Sequence, residues 1–202
     1  MSITIILIII TVACSFYAWN NESVYSGWML NPYMISSKKQ YYRFVTSGFI
    51  HADYMHLFFN MLSLYFFGDL LAAKMGIVEF VLLYLSAIIV SDLPTYLKNK
   101  NSQKYNSLGA SGGVSAVIFG CILYQPVGMD ICIFFALCVP AFIYGILFLI
   151  YSYYMGKRSG DRINHDAHLY GALFGVVFVL LEGDGHILPN FFQEIIHWPG
   201  LF

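Results

Sequence analysis

Apolar residues run along this chain in long unbroken stretches parted by short polar segments. They do not repeat on one face, as they would in a helix that packs in water. The first stretch, Ile3 to Trp19, is apolar but for Thr4, Thr11 and Ser15 and just reaches one bilayer span. No basic residue precedes it and no small-x-small cleavage site follows, so it reads as a retained helix and not a signal peptide. Residues 20–50 form a polar insert with Pro32, Lys38, Lys39 and Arg43. Its Trp28, Tyr33, Tyr41 and Tyr42 are residue types that settle at membrane interfaces, which predicts a partly helical interfacial segment.

A second helix is expected from about Asp53 to Ala73, with a turn at Lys74-Met75-Gly76, and a third from about Val78 to Leu97. Lys98 to Leu108 is a polar connector. A fourth helix, about Ala110 to Tyr124, is closed by Pro126-Val127-Gly128. The fifth is expected from about Ile131 to Met155 with a kink at Pro140. After the charged connector 156–164, the sixth runs from about His165 to Leu181, and the aromatic-rich tail covers 182–202. The pattern predicts one all-α polytopic membrane domain over 1–202 with six transmembrane helices. The fourth, about 23 Å long by helical rise, is shorter than the roughly 30 Å hydrocarbon core and is expected at the centre of the bundle, its start sunk below one surface.

Composition sharpens this picture. Charged residues are 10% of the chain, hydrophobic residues 59%, and mean hydropathy is +0.69. A soluble domain carries about 25% charged residues. Disorder is excluded by the hydrophobicity. A net charge of −1 leaves no basic footprint for nucleic acid. The cysteines at 14, 121, 132 and 138 all fall in predicted helices without a CxxC, so they read as lipid- or core-facing hydrophobes and a disulfide framework is not expected.

Polar groups at membrane depth are costly and mark function, and three clusters qualify. Gly109-Ala110-Ser111-Gly112-Gly113 opens the short fourth helix. Glycines around a serine permit a tight turn, and a helix start offers free N–H groups and a positive dipole end, which suits a nucleophile beside an anion-stabilising site. The plain alternative is a serine N-cap among packing residues. His168 lies in the sixth helix one turn before Gly171, and Gly171 and Gly175 share a face, as do Gly112, Ala116 and Gly120 on the fourth. If these faces pack, Ser111 and His168 reach the same level, and serine needs such a base. The third cluster is His51, His56 and Asn60; His56 and Asn60 share a helix face, and both can donate to an oxyanion. Asp166, two residues before His168, points elsewhere and reads as a start-of-helix carboxylate. His165 and His168 lack a third strong ligand, so no metal is expected.

With these motifs in this order, the sequence resembles the rhomboid family of intramembrane serine proteases. The resemblance rests on residues 51–60, 109–112 and 167–175 and covers nearly the whole chain after the first helix. It implies a Ser111–His168 dyad without a third acid, and an oxyanion hole from His56, Asn60 and the Ser111 backbone N–H. Gly109, Gly112, Gly171 and Gly175 would be packing supports. The insert at 20–50 resembles the family's membrane-embedded first loop, and 156–164 its cap over the site. Three positions depart from the pattern. Ser115 stands where an aromatic commonly stacks on the catalytic imidazole, so another group must orient His168. Tyr42-Arg43 replaces Trp-Arg, and Ala72 replaces a glutamate found about one turn past Gly68.

The implied activity is cleavage of other membrane proteins in or beside a transmembrane segment, with no cofactor; the partners are transmembrane substrates and the lipid bilayer. The rival reading is a non-enzymatic transporter or chaperone-like binder on the same fold. Nine of ten Lys and Arg lie in the odd connectors (residues 38, 39, 43, 98, 100, 104, 157, 158 and 162), which by the positive-inside rule puts the Ser111 end in the cytoplasm. The family's bacterial arrangement faces the site outward. The expectation follows the family: a multi-pass protein of a bacterial inner membrane.

Overall fold

A computed structural model describes residues 1–133, 137–158, 163–183 and 185–201. Its helices in chain order are α1 (Ile3–Trp19), α2 (Glu22–Trp28), α3 (Pro32–Lys38), α4 (Arg43–Thr46), α5 (Tyr54–Met75), α6 (Ile77–Asn99), α7 (Ser111–Tyr124), α8 (Ala141–Gly156), α9 (His165–Glu182) and α10 (Ile187–Ile196). A 3₁₀ turn at Ser47–Phe49 follows α4. Two strands, β1 (Asp130–Ile133) and β2 (Leu137–Pro140), precede α8.

The polar insert folds as three short helices. Asn21 and Asn31 cap α2 and α3 by accepting from Val24 N and Met34 N. Arg43 is buried, and its guanidinium donates to the carbonyls of Ser26 and Met29 and to Gln40 Oε1, so one side chain ties α4 to α2. Leu30, Ile35 and Phe44 make a small core under this insert, against Ile89 and Tyr96 of α6.

The 14-residue α7 is the most enclosed helix among the described residues. Every residue from Gly112 to Leu123 is buried, against α5, α6, α8 and α9. Such a helix has no polar face to lose, which its sequence anticipates. The outer helices turn large apolar side chains outward: Ile9 on α1, Phe58 and Tyr65 on α5, Leu82 on α6, Ile146 and Ile150 on α8, and Val177 on α9. A water-soluble protein does not expose apolar surface on this scale. Among the described residues, α5 and α6 are each long and apolar enough to cross a membrane, and α9 with α10, bent by 115°, would make a third span if counted together.

The expected fifth helix is corrected at its start. Residues 130–133 pair with 137–140 as antiparallel strands, and α8 begins only after Pro140. Ile131 and Val139 are β-branched, and Pro140 holds extended backbone (φ −51°, ψ 142°), so the proline marks the helix start and not a kink within it. The reading of the cysteines is corrected with it. Cys132 and Cys138 face each other across these strands and are joined by a disulfide, whereas Cys14 and Cys121 are free. Both cysteines had been placed inside the expected fifth helix; in paired antiparallel strands, positions six apart can meet. The tail beyond Glu182 turns back as the amphipathic α10, with Ile187 and Phe191 against Leu123, Tyr124 and Val179.

Candidate active site

Ser111 is the first residue of α7 and is partly exposed. Its approach is fixed by Gly109, whose φ of +120° is a conformation that side chains rarely adopt. A Cβ there would also lie 2.5 Å from Cε1 and 2.7 Å from Nε2 of His56, so the His56 ring rests on the backbone just before Ser111. Gly109 N donates to Ser47 O at 2.9 Å, which ties this turn to the segment before α5. The Ser111 backbone N–H is one of the donors that the start of a helix leaves without an intrahelical partner.

The helix faces meet as the glycine spacing predicted. A Cβ on Gly171 would strike the Gly112 carbonyl, and one on Gly175 the Ala116 carbonyl. The α7 and α9 backbones therefore touch at two successive turns. Gly112 follows Ser111 by one residue, and His168 precedes Gly171 by one helical turn, so both candidate groups sit at the same end of this seam. His168 is partly buried. Its helix is capped by Asn164, whose Oδ1 accepts from Ala167 N at 3.1 Å and from Thr95 Oγ1 at 3.0 Å, while Nδ2 donates to Ser107 Oγ at 3.1 Å. One asparagine thus links α9, α6 and the strand-like segment leading to Ser111. Asp166 lies in the first turn of α9 and pairs with Lys98 at 3.2 Å.

Asn60 is buried one turn after His56 on α5, and its Nδ2 donates to His56 O at 2.9 Å. His51 is fully buried and does something the sequence did not disclose. Its Nε2 accepts from Ala110 N at 3.3 Å, so Nδ1 carries the proton and donates to Ser15 Oγ at 3.1 Å, and Ser15 in turn donates to Phe49 O. Through this relay α1 holds Ala110, the residue just before Ser111. Burial, reinforced by His56, pushes the His51 imidazole down to about 3, with Asp53 opposing weakly. His51 therefore stays neutral while the unfolded chain takes up a proton below about pH 6.5. Between these values the unfolded state binds more protons, and stability falls as pH drops. Melting temperature in detergent is expected to decline from pH 7 to pH 4, and His51→Gln is expected to flatten that slope while lowering the value at pH 7. An equal slope in both proteins would remove His51 as its source.

A cavity of about 10 Å³, room for one water, borders Ser111 and is lined by Ser91, Asp92, Ser107, Gly109 and Asn164 among others. The expected cap, 156–164, lies partly outside the described residues, at 159–162. Asn164 as a helix cap was legible, since asparagine before a helix is a start signal. The contact of His51 with Ala110, 59 residues away, had no signal in sequence.

A family model described as the rhomboid domain matches residues 38–184. The chain belongs to the rhomboid family. Among rhomboid relatives, it is 32% identical over 158 residues to the zebrafish (Danio rerio) presenilin-associated rhomboid-like protein A, mitochondrial, covering 76% of this chain and 40% of that one. It is 31% identical over 160 residues to rhomboid-like protein 11, chloroplastic, of Arabidopsis thaliana, covering 74% and 55%. The mouse (Mus musculus) presenilin-associated rhomboid-like protein, mitochondrial, is 31% identical over 139 residues, 66% of this chain and 36% of that one. The chain thus spans about a third to a half of these relatives' lengths. Their names place them in mitochondria and a chloroplast, so they lend no support to the expectation of a bacterial inner membrane.

Proposed function

We propose that this rhomboid-family protein is an intramembrane serine endopeptidase that cuts membrane-protein substrates in or next to a transmembrane segment. The observation that carries the reading is the backbone contact of Gly112 with Gly171, which brings the serine-bearing and histidine-bearing helix ends together. In the proposed reaction Ser111 Oγ attacks the scissile carbonyl and His168 takes its proton. The oxyanion is held by His56, Asn60 and the Ser111 backbone N–H, as the rest of the His56 ring against Gly109 supports. His168 then protonates the leaving amine, and water releases the acyl-enzyme. No cofactor enters this chemistry.

In this reading α1, α5, α6, α7, α8 and α9 are the six crossings, with α7 as the short central one. The insert at 20–50 lies in the membrane interface, and the whole of 1–202 acts as one protease domain. A substrate helix must unwind locally, because its carbonyls are hydrogen-bonded within the helix.

A fluorophosphonate probe tests the reading on purified protein. Ser111 Oγ displaces fluoride at phosphorus, His168 accepts the serine proton, and a stable serine adduct remains. The adduct is expected on the parent and not on Ser111→Ala. A parent protein that stays unlabelled, and leaves membrane substrates uncut, would favour the non-enzymatic binder instead.

A further inference from the structure

Two ring pairs join α8 to α9. Phe148 lies over His168 with ring centroids 6.2 Å apart and planes 26° from parallel. Three residues on, Tyr151 meets His165 edge-to-face at 5.4 Å and 80°. His165 and His168 are also three apart, so each pair occupies one turn of two antiparallel helices, and the two histidine rings touch at 5.9 Å and 78°. Phe148 is itself held from behind by Phe119 of α7, at 5.6 Å, and by Tyr144, at 5.8 Å. The His168 imidazole therefore has two ring neighbours, the near-parallel Phe148 phenyl and the edge-on His165 imidazole. On α7, one turn past Ser111, the buried Ser115 brings only a hydroxyl.

We infer that Phe148 is the positioning residue for the His168 imidazole, with the Tyr151–His165 pair setting the register of α8 against α9. The inference rests on the proposed dyad and names what orients its base. Stacking constrains the ring's tilt without itself engaging either nitrogen, because both lie at the ring edge. Rings of this kind, with centroids 4.5–7 Å apart, attract beyond their simple area burial. Leucine at 148 would fill most of the volume but present no flat face. The imidazole could then turn about its Cβ–Cγ bond, a torsion that is broad for histidine. A catalytic group displaced by about 1 Å can cost about 10²-fold in rate.

Phe148→Leu is expected to lower kcat about 10- to 100-fold while KM and melting temperature stay close to the parent's. Phe148→Tyr, which keeps the ring, should recover most of the rate. Phe142→Leu, which removes an α8 ring six residues before Phe148 that packs on Trp198, should leave the rate near normal. A second measurement does not depend on catalysis. In histidine-labelled protein, with the signal assigned by His168→Ala, the His168 ring protons should carry a ring-current displacement that Phe148→Leu removes. An unchanged kcat in Phe148→Leu, equal loss in Phe148→Tyr, or an unmoved His168 signal would each overturn the inference. A displaced signal in a protein that neither reacts at Ser111 nor cuts substrate would support the packing and overturn the protease reading alone.

Discussion

Ser111→Ala and His168→Ala are each expected to abolish proteolysis by a purified protein that remains folded. Serine is a poor nucleophile at neutral pH until a base removes its proton, and histidine is the base whose ordinary titration lies closest to that pH. Loss of either group leaves the other with nothing to act on. In a soluble serine protease, losing the serine or the histidine costs about 10⁶-fold in kcat, and losing both costs scarcely more. The double variant here should likewise be no worse than either single one. Both residues are partly exposed, so melting temperatures should fall only modestly, more for His168→Ala, which loses its ring contact with Phe148. The measurement is single-turnover cleavage of a transmembrane peptide in detergent. Substantial cleavage by Ser111→Ala would end the assignment.

Gly171→Val is expected to remove nearly all activity with both reactive groups intact. The obstacle is backbone: a Cβ at 171 strikes the carbonyl, carbon and Cα of Gly112. A side-chain tip could swing away, but the α7 backbone can yield only by moving the helix. Overpacking of this kind costs about 1–3 kcal/mol, and a carbonyl in the path argues for the upper end. The same displacement separates the helix ends that carry Ser111 and His168, so a rate loss of about 10²-fold or more should accompany the lowered melting temperature. Gly156→Val is the comparison. A Cβ there meets Asp166 Oδ1 at 2.8 Å, the end of a side chain whose exposed pair with Lys98 can shift with it, so the effect should be milder. Near-normal rate and melting point in Gly171→Val would mean that the α7–α9 seam is not what aligns the pair.

Much of this protein was legible as a string because lipid-facing and buried helices both demand apolar side chains, and the few polar residues left over stand out. The starts and ends of α1, α5, α6, α7 and α9 fell within two residues of their expected places. Small residues four apart on α7 and α9 announced a close helix contact before any coordinate existed, because a missing Cβ is visible in sequence and only a neighbouring backbone can use the space. The same logic failed at 130–140. A short apolar run reads equally as strand or helix, and nothing local told the chain to reverse there and bring Cys132 to Cys138.

What surrounds Ser111 and His168 came from tertiary structure alone. Sequence placed Ser111 and His168 on two helices; it could not say that Asn164 would join α6 and the Ser107 segment to the start of α9. Nor could it show that His51 would reach from Ser15 to the Ala110 N–H, or that Phe148 would lie over the imidazole. Helical and strand periodicity are properties of neighbouring residues and are written locally. Contacts between residues 20 to 69 apart in sequence depend on how whole helices pack, which no local pattern encodes.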